Sequence, residues 1–118
     1  LDMGTVLKIR IKRDGSAGHL SEVAKDPVLK GIDGITFNRR GQLFATVNVS
    51  NKVVKINRRG KVKVIEDGEL DSNTNLDFPS DVVFGKGRDS FTLYVTNFAA
   101  LSQNLPALLK IDLKSRRR

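Results

Sequence analysis

Two sets of side chains in this sequence have the types and spacing to do chemistry. The first is a set of hard oxygen donors: the carboxylates of Asp33 and Asp81 and the carboxamides of Asn48 and Asn97. Such oxygens, brought together, suit a hard cation such as Ca²⁺. The second is a set of cations: Arg39-Arg40 and Arg58-Arg59, each pair framed by Asn and Gly, with Lys86 and Arg88 further along. Clustered on one surface, they would attract an anionic or acidic protein partner. Both sets also have plainer readings. Asp and Asn at strand ends commonly form turns by bonding their own backbone, and arginines at hairpin tips keep a protein soluble.

Other chemistries lack their residues. The chain has no cysteine, which removes disulfides, thiolate metal sites and cysteine nucleophiles. His19 lies in a Gly/Ser-rich stretch with no partner pattern. Ser50, Ser80 and Ser90 lack the G-x-S-x-G setting of a serine nucleophile. Gly85-Lys86-Gly87 is followed by no helical pattern, so it is not a phosphate loop. Phe37, Phe44, Phe84, Phe91, Tyr94 and Phe98 are expected to pack between sheets, so nucleic acid is not the expected partner.

The 118 residues carry a net charge of +8, with 39% hydrophobic and 29% charged residues. That balance supports a buried core and a negatively charged partner. No apolar run reaches the ~18 residues of a membrane span. The start, Leu1 to Arg13, has no apolar signal-peptide core. The compartment stays open between cytoplasm and secretion.

The elements that must position these residues come from an internal repeat. Val6-Leu7-Lys8-Ile9-Arg10, Val53-Val54-Lys55-Ile56-Asn57 and Leu108-Leu109-Lys110-Ile111-Asp112 are one phrase, spaced by 47 and then 55 residues. Gly34-Ile35-Thr36-Phe37 and Asp81-Val82-Val83-Phe84 form a second phrase, and Leu43-Phe44-Ala45-Thr46 and Leu93-Tyr94-Val95-Thr96 a third, always in the same order. Each phrase is short, rich in β-branched and aromatic residues, and bounded by turns, as strands are. The predicted unit is strand a (34–37), b (43–46), c (53–57) and d (about 61–65), with Gly-ended hairpin turns at 38–41 and 57–60. No segment has a helical period, and Pro106 makes 99–109 a loop. Four antiparallel strands in roughly 45 residues is the pattern of a propeller blade.

The expected fold is therefore all-β: about two and a half four-stranded antiparallel β-propeller blades. Residues 1–30 end one blade, 31–75 form the next, and 76–118 most of a further one. Strand order also sorts the candidates. In a meander the a–b and c–d turns share one face, and the b–c and d–a connections share the other. The arginine pairs with Lys86 and Arg88 then fall on one face, and Asp33, Ser80, Asp81, Asn48 and Asn97 on the opposite face.

Ile32-Asp33-Gly34-Ile35-Thr36-Phe37, followed by Gly41-Gln42-Leu43-Phe44-Ala45, resembles a blade of the gluconolactonase/senescence-marker-protein superfamily. Leu93-Tyr94-Val95-Thr96-Asn97 is similar both to that family and to NHL-repeat propellers. The resemblance spans residues 5 to 113. It implies a six-bladed propeller, often a hydrolase of sugar lactones or organophosphates using a divalent cation, usually calcium, in the central channel. The cation would polarise a lactone carbonyl or a water. Asp33 matches a ligand position at the start of strand a, and Asn97 one after strand b, although as Asn it cannot act as a carboxylate base. Asn48 is offset by one residue, and the family's Glu ligand has no counterpart. An NHL-like, non-catalytic propeller binding its partner through the basic face is the alternative. Either way the expected partner is the rest of a ring, from the same parent chain, a second chain or further copies.

Overall fold

The computed structural model describes residues 4–99 and 107–113. They form nine strands in three antiparallel sheets. β1 (Thr5–Ile11) pairs with β2 (Ala17–Lys25). β3 (Ile32–Phe37), β4 (Leu43–Val47), β5 (Lys52–Ile56) and β6 (Val62–Asp67) form a four-stranded meander. β7 (Pro79–Phe84), β8 (Thr92–Asn97) and β9 (Ala107–Asp112) form a three-stranded one. The all-β expectation holds. Three single 3₁₀ turns, at Pro27–Leu29, Ser72–Thr74 and Gly87–Asp89, are the only helical segments described, and none is long and apolar enough to cross a membrane. Of the loop expected at 99–109, residues 100–106 lie outside the described residues, and 107–109 are not loop but the start of β9, where they pair with β8.

The middle sheet is covered on both faces. Leu43, Ala45 and Val47 of β4 and Val54 and Ile56 of β5 pack with Val6, Ala24 and Leu29 on one side. Phe44 and Val53 pack with Leu76, Val82, Leu93, Val95 and Ile111 on the other. All five residues of β4 are therefore buried, which is why apolar residues fall on both of its faces and do not alternate with exposed polar ones. Phe44 meets Phe84 edge-to-face, with ring centroids 5.0 Å apart and planes at 82°, a favoured aromatic geometry, whereas Phe37 and Phe98, also expected to pack between sheets, are exposed.

The second and third sheets meet most closely where β3 crosses β7. A Cβ on Gly34 would stand 2.6 Å from Asp81 Cα and 2.8 Å from the Ser80 carbonyl oxygen. Only glycine permits that approach. The β3–β4 register shifts between Ile32 and Ile35, and the Gly34 N–H there donates to Thr46 Oγ1 at 3.0 Å. This pairing lets β3 start at Ile32, earlier than the apolar phrase alone indicates. β5 ends at Ile56 because Asn57 belongs to the turn, where its N–H donates to the Lys61 carbonyl.

Among the described residues, the first hairpin packs against the core at its base. Val6, Val23 and Ala24 join the core, while Leu7, Ile9, Ile11 and Leu20 are exposed. The β1–β2 register pairs Ile9 with Leu20 and Leu7 with Glu22, so this apolar stripe lies on one face.

Candidate functional site

The tip arginines are presented by their neighbours. Asn38 Oδ1 accepts the N–H groups of Arg40 and Gln42, both at 2.9 Å. Asn57 Oδ1 does the same for Arg59 and Lys61, also at 2.9 Å. Gly41 and Gly60 close the turns at φ 77° and 83°, a region that L side chains avoid. With Asn and Gly setting the backbone, the two residues between them project into solvent: Arg39, Arg40, Arg58 and Arg59 are all exposed. Arg58 Nη2 donates to the Arg40 carbonyl oxygen at 2.6 Å, joining the two tips. None of these arginines pairs with a described carboxylate. Lys52 does form ion pairs, with Asp67 at 3.6 Å and with Glu69, at the opposite end of the sheet. The Glu69 bond, opposed by burial and aided by Asp67, holds the Lys52 amine above its usual value. At the arginine end, Asp89 is engaged by the Tyr94 hydroxyl. That bond, helped by Thr92 and Lys110, keeps its carboxyl below the usual range.

Beside the tips, a cleft of about 770 Å³ opens between the second and third sheets. Its lining is mixed: apolar Phe44 and Ile65 on one side and Phe84, Phe91 and Leu113 on the other, interspersed with Asn38, Gln42 and Ser90. Its charged lining is Arg39, Arg40, Lys55 and Lys63, with no carboxylate among the described residues. The register explains the lysines. Phe44 pairs with Lys55 and Lys55 with Lys63, so the three form a row on the face turned to the third sheet. Sequence reasoning missed Lys55 and Lys63. Alternation within Val53-Val54-Lys55-Ile56 sets Lys55 on the face opposite Val54 and Ile56, but only the stacking of the sheets shows what that face meets. A smaller hollow adjoins, between Gln42, Asn57 and Arg58.

At the other end, the predicted oxygen donors are distributed in two ways. The asparagines fasten the segment that leads into β7. Asn97, which is 7% exposed, accepts the Asp77 N–H at 3.0 Å and donates to the Asn75 carbonyl at 2.9 Å. Asn48 Nδ2 donates to the Pro79 carbonyl at 3.0 Å. Asn51, which sequence reasoning passed over, does as much: it donates to the Leu76 carbonyl at 2.8 Å and accepts the Phe78 N–H at 3.0 Å. Its φ of 61° suits Asn better than most residues. Asp33 and Asp81 are exposed on the adjoining strands β3 and β7, and Asp81 Oδ1 accepts the Val82 N–H at 2.9 Å. Among the described residues no three acidic, His or Cys side chains gather as a metal-binding group.

No family model and no curated protein matches this sequence.

Proposed function

We propose that the three sheets are successive blades of a gluconolactonase-type or NHL-like β-propeller, and that this part of it is a non-catalytic binding surface for an anionic partner. The carrying observation is the cation cluster at the hairpin-tip end, left without described carboxylate partners and built around a cleft. The asparagines at the opposite end are already engaged in holding backbone, which weighs towards scaffold over catalyst. The blade reading draws support from the meander order of each sheet and from the middle sheet, whose two faces are both buried. The exposed stripe of Leu7, Ile9, Ile11 and Leu20 is the kind of face that the rest of a ring would cover.

The test uses inorganic polyphosphate as the anionic probe, measured by calorimetry across a range of ionic strength. Binding should weaken as salt rises. Changing Arg39, Arg40, Arg58 and Arg59 together to Gln should weaken it by roughly tenfold or more, since several exposed charge contacts of up to ~1 kcal/mol each are lost. Salt-independent binding, or an unchanged constant in the quadruple variant, would overturn the reading.

A second reading, a Ca²⁺-dependent hydrolase of lactones or esters in the complete ring, is favoured by one observation. The close crossing at Gly34 sets the strands bearing Asp33 and Asp81 side by side at one end. It predicts that millimolar Ca²⁺ raises the melting temperature of the wild-type chain but not of Asp33→Asn.

A further inference from the structure

We infer that the cleft between the second and third sheets is a site for a single-tailed anionic amphiphile: one phosphate or carboxylate head on an apolar body. This rests on reading the tip end as the anion-binding surface, and adds the chemical class that the cleft selects.

The argument begins with an electrostatic cost. Lys55 and Lys63 stand directly opposite each other on neighbouring strands, an arrangement of like charges that destabilises a sheet. Neither has a described carboxylate partner, and the described lining of the cleft contains none. Arg39 and Arg40 add two guanidinium groups at the mouth, whose planar donors match a phosphate or carboxylate in bidentate fashion. An anionic head placed there would relieve the repulsion.

The walls require more than a head. Phe44, Phe84 and Phe91 give the recess an aromatic lining, and its 770 Å³ falls within the usual size of a small-molecule pocket. A neutral apolar ligand would leave the lysines unpaired. A small inorganic anion would leave the aromatic walls in contact with water. A bilayer surface cannot enter a recess between two sheets. An amphiphile with an anionic head satisfies both the walls and the charges.

The test is a titration of the full chain with dodecyl phosphate below its micellar concentration, read by calorimetry and by amide chemical shifts. Inorganic phosphate, dodecyl maltoside and anionic phospholipid vesicles serve as comparison probes. The expected result is one-to-one binding of dodecyl phosphate, with shifts at Phe44, Lys55, Lys63 and Phe91. Lys55→Gln with Lys63→Gln should weaken it by about tenfold, one half-buried and one exposed charge contact being removed. Leu7→Ser with Ile9→Ser, on the first hairpin, should leave it unchanged. Three outcomes overturn the inference: equal affinity for dodecyl maltoside, equal affinity for inorganic phosphate, or no effect of the lysine changes. So does vesicle binding that dodecyl phosphate fails to displace, which would mark a membrane surface instead. If polyphosphate still binds at the tips while dodecyl phosphate does not, this inference fails alone. If polyphosphate also fails, the reading of the tip end falls with it.

Discussion

Changing Asn97 to Ala removes a side chain that holds two backbone groups of the segment leading into β7. The Asp77 N–H is half-buried and loses an acceptor at 3.0 Å. The Asn75 carbonyl loses a donor at 2.9 Å but sits on an exposed residue, where water can replace it. The first loss is worth about 1–2 kcal/mol and the second under ~1 kcal/mol, so about 2 kcal/mol in total. At an unfolding entropy near 2.1 cal/mol/K per residue, a chain of 118 residues loses roughly 8 °C of melting temperature. Thermal unfolding followed by circular dichroism is the assay, with urea titration as a second measure. Asn97→Asp sharpens the test. It keeps the acceptor for Asp77, loses the donor to Asn75, and sets a carboxylate against that carbonyl. A structural role predicts destabilisation with or without Ca²⁺. A ligand role predicts that millimolar Ca²⁺ restores Asn97→Asp to wild-type stability or above. That rescue, or an Asn97→Ala midpoint within about 2 °C of wild type, would refute the structural assignment.

Three further outcomes follow from the packing and the charges. Gly34→Ala drives a Cβ against the Ser80–Asp81 backbone, so β3 and β7 must part; the expected loss is about 1–3 kcal/mol, read as a lower urea midpoint. Phe44→Ala, at a residue 4% exposed and packed edge-to-face with Phe84, should cost about 3–5 kcal/mol, whereas Phe37→Ala, at 63% exposure, should stay within ~0.5 kcal/mol of wild type. The Lys52 amine is raised above 10.5 by Glu69 first, so its stabilising contribution is complete below pH 10.5 and disappears as pH climbs through the folded value. Lys52→Gln should flatten that alkaline limb in a pH series of urea midpoints.

The strands were legible because their phrases repeat and because Asn-Arg-Arg-Gly closes two hairpins by local chemistry alone. The position of the arginines followed from strand order, which needs no side-chain packing. What escaped the sequence depends on partners remote along the chain. Asn51 bonds residues 25 and 27 positions away, and nothing around it announces that its φ is positive. Lys55 and Lys63 looked like the polar half of ordinary alternation. They line the cleft only because the face they occupy is turned to the third sheet. The first hairpin was legible as two strands, but not that its packing among the described residues would be at its base, since alternation marks an apolar face without stating what covers it.

The two ends of the second and third sheets are mechanically linked, and this gives the asparagines a bearing on the cleft. Asn48, Asn51 and Asn97 fix where the segment from Asn75 to Pro79 enters β7. Gly34 fixes how close β3 and β7 lie beneath it. Phe44 on Phe84 fixes the spacing near the tips. Two sheets held at three such points behave as a wedge of set angle, because packed interfaces resist continuous deformation. The width of the cleft, about one strand length (~20 Å) from the asparagines, then depends on them. Asn97→Ala should therefore lower dodecyl phosphate affinity in the chain that remains folded by more than it lowers polyphosphate affinity, of whose four tip arginines only Arg39 and Arg40 line the cleft. Equal losses for both probes would mean general unfolding, and loss for neither would mean that the cleft holds its shape without the asparagines.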